Sequence, residues 1–323
     1  MALSAQKEAA FERVSGLWVA IPTPFTPDGA AIDEDALRRS VEHYVSGLEV
    51  DGIFCGGMMG EFWAMTVEER RSVHELVTDT ASGRVPVMGQ TSHHVFEHTV
   101  HLTRHAEEIG MEFAIVMNPY FPPKPAEHLV VAWYEELARR TSIPIFLFNT
   151  AYSGYSISHD LIERLCEIDA VCGIKHPKPK DDVVALLERV GDRIVVCDAA
   201  EDEWLDLHLD HGLRALMSTP ALAMFQTAED RPVLDYTRAA QRGDRAEARR
   251  ISGTLAPHRA AFQKWMRDPW LTHRQGVVPI AELKAWLGRM GLPQGPVRLP
   301  LVELGEDRAA DLRADVEALG LAR

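Results

Sequence analysis

A lysine stands at the end of a short apolar run, and this position makes it the first candidate for chemistry. Lys175 closes the segment Val-Cys-Gly-Ile-Lys, which begins at Val171. If the run is a buried strand, loss of hydration lowers the pKa of the terminal ammonium from its reference of about 10.4. A lysine that is uncharged near neutral pH attacks a ketone carbon, so the pattern indicates an imine-forming nucleophile. The same spacing also fits a lysine that begins a solvated loop, because His176 and two further lysines follow it.

The lysine belongs to an alternation of apolar runs and amphipathic stretches, which is the pattern of βα units and a parallel sheet. Eight short runs predict strands that are covered on both faces. These runs are Leu17–Pro22, Gly52–Cys55, Val85–Gly89, Phe113–Met117, Pro144–Asn149, Val171–Lys175, Ile194–Asp198 and Leu213–Met217.

Stretches with an apolar period of 3.6 residues lie between the runs and predict helices. The first is Asp33–Leu48, and in the second the spacing of Thr66 and Glu69 fits a capping box. The other predicted helices are about Glu97–Ile109, Ala126–Arg140, Ser158–Glu167, Asp181–Val190 and Glu201–Leu209.

Eight strands with seven intervening helices predict an α/β fold, the TIM (β/α)8 barrel. An open, doubly wound sheet is the competing arrangement, but no G-x-G-x-x-G follows a predicted strand. After about Pro220 the strand pattern stops, and helices are predicted at 231–242, 245–266, 279–290 and 307–319. We therefore expect a barrel over residues 1–225 and a C-terminal helical extension, residues 226–323, that packs on it.

The composition excludes several classes of protein. Hydrophobic residues make up 46% and charged residues 25% of the 323 residues, which is typical of a globular protein. A formal net charge of -14 disfavours nucleic acid and anionic membrane as partners, because both bind basic surfaces. We expect a cytoplasmic protein, because the sequence shows neither an apolar leader nor an apolar stretch of about 18 residues.

The cysteines give no sign of a disulfide or a metal site. Cys55, Cys166, Cys172 and Cys197 are scattered along the chain, without a C-x-x-C pair or a grouping with histidine. The sequence therefore predicts reduced cysteines that pack in the core, and no metal.

Several segments carry the phrases of a known family in the same order and with similar spacing. Gly-Ile-Lys-His-Pro-Lys-Pro-Lys-Asp-Asp from Gly173 is similar to G-I-K-[DE]-x-[ST]-x-D, and the ten residues from Gly16 are similar to G-x-x-x-A-x-x-T-P-F. Gly-Gly-Met-Met-Gly-Glu from Gly56 corresponds to G-[ST]-T-G-E, and Asn-Pro-Tyr-Phe-Pro-Pro from Asn118 corresponds to P-Y-Y-x-x-P. Together these segments resemble the dihydrodipicolinate synthase and N-acetylneuraminate lyase superfamily over about residues 16–225.

The resemblance implies roles for some of these residues. In that superfamily the lysine of strand six forms an imine with pyruvate, so Lys175 is implied as the catalytic residue. The carboxylate of the 2-oxo acid is held by a threonine hydroxyl and by backbone N–H groups after strand two. Here Met59 lacks the hydroxyl, whereas the N–H groups of Met59 and Gly60 remain. The resemblance implies a homotetramer, and it implies neither a cofactor nor a metal.

The sequence departs from the family at the proton relay. A tyrosine that closes strand five transfers protons in most members, and this chain has Phe148 in its place. The two hydroxyl partners of that tyrosine are replaced by Met58 and Phe121. Because an apolar side chain cannot transfer a proton, acid–base steps worth about 100- to 10,000-fold must come from elsewhere.

Tyr152, Tyr155, His176 and the substrate itself are candidates for this proton transfer. The two tyrosines also fit loop packing or subunit contacts, and His176 also fits an exposed loop. The arginine that holds the amino-dicarboxylate partner in dihydrodipicolinate synthases has no counterpart, because Ser153 occupies its place. The resemblance therefore points away from lysine biosynthesis.

Met58, Met59 and Phe148 replace hydroxyl-bearing residues of the family, and their apolar side chains predict an apolar pocket. Together with Phe62 and Phe121, such a pocket suits an aromatic or apolar partner aldehyde, although methionine and phenylalanine also fill cores. The predicted substrate-binding residues are Met58, Met59, Gly60, Phe148, Tyr152, His176 and Ser218, of which Ser218 directly follows the eighth run.

Three functions remain open at this point. The first is a Schiff-base-forming lyase or aldolase that acts on a pyruvate-type 2-oxo acid. The second is dehydration or decarboxylation of a 2-oxo acid through the same imine. The third is a barrel without turnover that senses a ligand or serves as a structural subunit, and the missing relay favours it.

Overall fold

The computed structural model describes residues 3–121, 124–218, 220–269 and 278–323, without the side chains of Tyr152 and Pro220. Eight strands form a closed barrel in sequence order. The predicted TIM barrel is therefore confirmed, and the competing open sheet is wrong. The strands are β1 Gly16–Ala20, β2 Gly52–Cys55, β3 Val87–Gln90, β4 Phe113–Met117, β5 Ile145–Phe148, β6 Val171–Lys175, β7 Val195–Asp198 and β8 Ala215–Ser218.

Helices separate the strands and follow the last one. Short 3-10 turns lie at Phe62–Ala64 and Ala151–Ser153, and π-helical turns lie at His43–Gly47 and Gln263–Arg267. Helix α1 is Ala5–Arg13, and α2 to α8 are Glu34–Glu42, Val67–Ala81, Phe96–Glu108, Glu127–Arg140, His159–Leu165, Lys180–Val190 and Glu201–His211. After β8 the described helices, α9 to α14, are Pro220–Met224, Pro232–Gln241, Arg245–Gly253, Ala256–Phe262, Ile280–Arg289 and Glu306–Ala318.

The chain divides into two compact units. The first consists of Met1–Trp18, Asp51–Phe54 and Pro86–Met217, and the second consists of Val19–Val50, Cys55–Val85 and Ser218–Arg323. The helical part after β8 was expected, whereas the boundary at residue 225 stays a prediction. Across the described residues, every helix is too short or too polar to span a lipid bilayer.

In the first unit, a glycine in β6 leaves room for an aromatic ring. Phe146 of β5 pairs with Gly173 of β6, and a Cβ atom at Gly173 would lie 2.1 Å from the Phe146 ring. That ring packs edge to face against Phe113, with 5.2 Å between the centroids. Because Gly173 lies two residues before Lys175, this packing fixes the backbone of β6 close to the lysine.

In the second unit, the capping box predicted at α3 is confirmed. The Thr66 hydroxyl accepts the N–H of Glu69 at 3.1 Å, and the Glu69 carboxylate accepts the N–H of Thr66 at 2.9 Å. The two residues satisfy each other's backbone donors in the first turn of the helix.

Two predicted helices are interrupted. The first changes from an α-helix to a π turn after Glu42. The helix predicted over residues 245–266 ends at Gly253 and resumes at Ala256. The break has a physical reason, since Pro257 has no N–H with which to bond to the Gly253 carbonyl.

Substitution of Gly173 by alanine tests the packing of β6. Gly173→Ala should lower the free energy of unfolding in urea by about 1 to 3 kcal/mol, because the new methyl group overlaps the Phe146 ring. Gly288→Ala is the matched control, because Gly288 is an exposed residue of α13 where a Cβ atom meets nothing within 4 Å. It should be neutral or stabilising by up to about 1 kcal/mol. Equal stability of Gly173→Ala and the wild type would contradict the packing described.

Candidate active site

Lys175 is buried at the carboxyl end of β6. Only 6% of the residue is exposed, and it pairs with Phe148 of β5 on one side and Cys197 of β7 on the other. The Lys175 Nζ atom lies 4.9 Å from the centre of the Phe54 ring and 5.1 Å from the centre of the Phe148 ring. The alternative of a lysine that begins a solvated loop is therefore wrong.

This enclosure changes the proton affinity of the amine. Burial lowers the pKa of Lys175 from 10.5 to about 8, although Cys197 and Asp198 raise it in part. Loss of water disfavours the ammonium more than the amine, and two ring faces replace only part of the lost hydration. Roughly a tenth of the molecules then carry the free amine at pH 7, which is enough for a nucleophile.

The neighbouring strand ends in a buried carboxyl group. Asp198 is the last residue of β7 and is 1% exposed, and its Oδ2 atom accepts the N–H of Ala200 at 3.1 Å. Within the described part of the chain, its Oδ1 atom is buried without a hydrogen-bond partner. Burial raises the pKa of Asp198 from 3.8 to about 6. The sequence analysis missed this residue, although a charge at the end of an apolar strand is the same pattern that pointed to Lys175.

His176 is enclosed in a hydrogen-bonded cluster. The residue is 1% exposed, so the alternative of an exposed loop histidine is wrong. Its Nε2 atom lies 2.6 Å from Asp182 Oδ1, and its Nδ1 atom lies 3.2 Å from Asn149 Nδ2. The same Asp182 oxygen lies 3.1 Å from His159 Nε2. The sequence analysis did not connect these four residues.

The orientation of Asn149 assigns the tautomer of His176. Asn149 Oδ1 accepts the N–H of Ile157 at 2.9 Å, and Asn149 Nδ2 donates to the Ile157 carbonyl at 3.1 Å. The amide nitrogen therefore faces His176 Nδ1, which must accept, so the ring proton is on Nε2 and is donated to Asp182. Burial lowers the pKa of His176 to about 4, which keeps the ring neutral at pH 7. Both ring nitrogens are engaged, and a substrate-binding role for His176 stays a prediction.

The same cluster has donors that suit a divalent cation. One ligand atom each from His159, His176 and Asp182 lies within 4.8 Å of the others. A metal at His176 Nε2 would need the ring proton on Nδ1, where it would be donated to an acceptor. Asn149 presents a donor to that nitrogen instead. The arrangement therefore favours a hydrogen-bonded cluster that holds the start of α7 against the end of β6.

Loop contacts account for two of the other polar residues. The Tyr155 hydroxyl donates to the Pro119 carbonyl at 2.8 Å. The buried Ser153 hydroxyl accepts from Asn118 Nδ2 at 2.8 Å and lies 2.8 Å from the Tyr155 carbonyl. These contacts support the loop-packing alternative for Tyr155. The side chain of Tyr152 lies outside the described residues, so its role stays a prediction.

Three residues with predicted places in the pocket differ in exposure. Phe148 is buried at the end of β5, and its ring contacts Phe54 edge to face with 6.2 Å between the centroids. Ser218 is buried as the last residue of β8 in the second unit. Phe121, by contrast, is 73% exposed.

In the second unit, the loop after β2 is folded back on itself. The N–H of Gly60 donates to the Gly57 carbonyl at 3.1 Å. To bind a carboxylate, this N–H would have to release that bond. Met58 is buried and Met59 is half-buried. A Cβ atom at Gly60 would lie 3.1 Å from Thr23 Oγ1, which explains why a small residue stands there.

The residue after Gly60 forms a buried ion pair that the sequence analysis did not identify. Glu61 is fully buried and has a left-handed backbone, with φ 54°. Its Oε1 atom lies 2.6 Å from Lys284 Nζ of α13, and its Oε2 atom accepts the N–H of Arg298 at 2.9 Å. Lys284 also donates to the Pro296 carbonyl at 2.9 Å. Since a buried charge without its partner is costly, this pair fixes the end of the loop.

Known proteins resemble the chain over almost its whole length. Residues 13–319 match the dihydrodipicolinate synthetase family. The 4-hydroxy-tetrahydrodipicolinate synthase of Alkalilimnicola ehrlichii is 31% identical over 307 residues, which cover 94% of this chain and 98% of the relative. The enzyme of the same name from Methanothrix thermoacetophila is 29% identical over 301 residues, or 92% and 94% of the two chains. The crystal structure of dihydrodipicolinate synthase from Aquifex aeolicus superposes with a TM-score of 0.80 and 27% identity, and covers 96% of this chain and 99% of that one.

Removal of Lys284 tests the buried ion pair. Lys284→Met leaves the Glu61 carboxylate buried without its cation and should lower the free energy of unfolding by about 3 to 5 kcal/mol. Adding Glu61→Gln should recover a large part of this loss in urea unfolding. Lys264→Met removes a half-exposed partner of Asp315 and should cost no more than about 1 kcal/mol. Equal losses from the two lysine substitutions would contradict the buried pair.

The pKa of His176 predicts a pH dependence of stability. The folded state binds fewer protons than the unfolded state between the reference pKa of 6.5 and about 4, so His176 makes stability fall as the pH is lowered through that window. Between pH 7 and pH 5, the wild type should lose on the order of 1 to 2 kcal/mol more than His176→Gln in urea unfolding. The comparison with the variant is needed because Asp198, whose pKa is raised, acts in the opposite direction below about pH 6.

His128→Gln, on an exposed position of α5, serves as the control for this measurement. It should keep the pH dependence of the wild type. The assignment of a neutral, buried His176 would be wrong if both substitutions left the same pH dependence.

Proposed function

The chain belongs to the dihydrodipicolinate synthetase family, and we propose that it is a class I lyase or aldolase in which Lys175 binds a 2-oxo acid as an imine. The observation that carries the proposal is the enclosed amine at the end of β6, whose pKa is lowered to about 8. The carboxyl end of a barrel strand is the place where enzymes of this fold keep their working residues.

The chemistry follows from the free amine. The Lys175 Nζ atom attacks C2 of the 2-oxo acid, and water leaves. The resulting iminium accepts the electron pair of the breaking C3–C4 bond, while the C4 hydroxyl group loses its proton to water and C4 leaves as the aldehyde. The enamine formed in this way is protonated at C3, and water then releases the product from the lysine. Without the amine no electron sink forms, so the whole sequence depends on Lys175.

For the substrate, we propose a pyruvate-type 2-oxo acid with an aromatic or apolar partner aldehyde. Phe148 and Phe54 line the Lys175 amine with apolar surface, and such surface favours an apolar substrate group. By the family resemblance, dihydrodipicolinate synthases carry a tyrosine and an arginine at two positions where this chain has other residues. There Phe148 and Ser153 replace the tyrosine and the arginine, which supports a different partner substrate.

Two further parts of the proposal come from the family resemblance and the composition. We propose a homotetramer and a cytoplasmic location. Sedimentation analysis and fractionation of cells that express the protein test these two statements independently of the chemistry.

Trapping with borohydride tests the role of Lys175. Incubation with pyruvate and sodium borohydride should give a covalent adduct in the intact mass of the wild type, because borohydride reduces the imine to a stable amine. Lys175→Ala should form none, a loss of at least about 100-fold. Lys178→Ala, in the same segment, is the matched control and should be trapped as readily as the wild type, since its amine bonds to Ser156.

An undiminished adduct in Lys175→Ala, or the absence of an adduct in the wild type, would overturn the proposal. A panel of 2-oxo acids then identifies the reaction class. Only aldol cleavage releases pyruvate together with an aldehyde, whereas dehydration or decarboxylation releases water or carbon dioxide. Binding without turnover across the whole panel would favour a sensor.

A further inference from the structure

We propose that Phe54 is a catalytic residue whose ring, together with that of Phe148, stabilises the positive charge on Lys175 Nζ when the amine becomes an iminium. The inference rests on the proposed function of Lys175 and extends it, because it says what holds a cation in an apolar site. The iminium is the electron sink of the reaction, whereas an imine that has lost its proton is a poor sink. A group that stabilises the charge therefore keeps the intermediate in its reactive form.

The strand register brings apolar or weakly polar side chains to the level of the amine. Lys175 of β6 pairs with Phe148 of β5 and with Cys197 of β7, and Phe148 pairs with Met117 of β4. Paired residues of parallel strands turn their side chains to the same face of the sheet. Phe54 of β2 joins this level, since its ring contacts that of Phe148 with 88° between the ring planes. All five residues belong to the first unit.

Both aromatic rings turn a face toward the reacting nitrogen. The Lys175 Nζ atom lies over the Phe54 ring at 4.9 Å from its centre and over the Phe148 ring at 5.1 Å. The face of an aromatic ring attracts a cation within about 6 Å of its centre, and more strongly where water is excluded. A neutral amine or imine has no such attraction. Because the same nitrogen carries the charge of the iminium, the rings are already in place for the intermediate.

The other groups around the amine supply no counter-charge in contact with it. Among the described residues, no carboxylate forms an ion pair with Lys175. Burial lowers the pKa of Lys175 most, and Cys197 and Asp198 oppose this only in part. By alternation along β7, the Asp198 side chain is turned to the face away from Lys175. Burial raises the pKa of the Cys197 thiol to about 12, so the thiol is uncharged.

His176 supplies no charge to the nitrogen either. It follows Lys175 along β6 and is therefore turned to the opposite face, where its ring is bonded to Asp182 and Asn149. Burial lowers the pKa of His176 to about 4, which keeps it neutral. The rings of Phe54 and Phe148 are therefore the contacts through which the protein stabilises the cation.

Stepwise fluorination of the Phe54 ring separates its charge effect from its volume. In the full-length protein, Phe54 is replaced by phenylalanines that carry one, two or three ring fluorine atoms, which withdraw electron density from the face and change the size little. The lysine side chains are labelled with ¹⁵N at Nζ, and the Lys175 resonance is identified by its absence in Lys175→Ala. Titration without and with pyruvate then gives the pKa of the free amine and of the imine.

Both pKa values should fall with each added fluorine atom. The trifluorinated protein should show a total fall of about half a unit to one and a half units, because the charged forms lose the attraction of the ring and the neutral forms do not. The matched control is the same trifluorinated residue at Phe113. That ring packs against Phe146 in the same unit and, within the described part of the chain, has no cation over its face. The control should keep both pKa values of the wild type.

The outcomes separate this inference from the proposed function. An imine whose pKa stays constant across the Phe54 series would overturn the inference and leave Lys175 as the imine-forming residue. An equal fall in the Phe113 control would also overturn it, because fluorination would then act without contact with the nitrogen. If the trifluorinated protein does not fold, the monofluorinated protein decides, and unchanged pKa values there overturn the inference. Absence of an imine resonance in the wild type with pyruvate overturns the proposed function and this inference with it.

Discussion

An amine condenses with a ketone only while it is uncharged, and in this protein the enclosure of Lys175 decides how much of that form exists. Burial penalises the charged forms of Lys175 and Asp198 alike. The two pKa values, ordinarily 10.5 and 3.8, therefore approach each other at about 8 and about 6. A single physical cause, the exclusion of water, thus shifts the pKa values of both groups.

The surrounding structure keeps that geometry rigid. The Phe146 ring occupies the space of a side chain at Gly173 and so fixes the strand that ends at Lys175. Directly after the lysine, the His176 ring is held between Asn149 and Asp182. The backbone on either side of Lys175 is therefore constrained, from inside the sheet on one side and from the following helix on the other. A lysine with several rotatable bonds gains a defined position mainly from such neighbours.

The sequence predicted the barrel because each strand is a local apolar run, and local patterns need no knowledge of distant residues. The bounds of β4 and β6 agree with Phe113–Met117 and Val171–Lys175. Cooperation between distant residues was not predictable in this way. His176 lies near His159 and Asp182 only because the first turns of α6 and α7 come together in the fold. Glu61 contacts Lys284 only because the second unit brings residues distant in sequence together. Asp198, however, was within reach, since it closes an apolar strand as Lys175 does.

The ion pair of Glu61 and Lys284 limits which amino-acid substitutions this protein tolerates. The carboxylate follows the loop after β2, while its cation is carried by α13, which is distant from that loop along the chain. Neither residue can be exchanged alone without stranding a charge away from water. A change that removes the Lys284 cation from α13 must therefore be matched by a change that removes the Glu61 carboxylate.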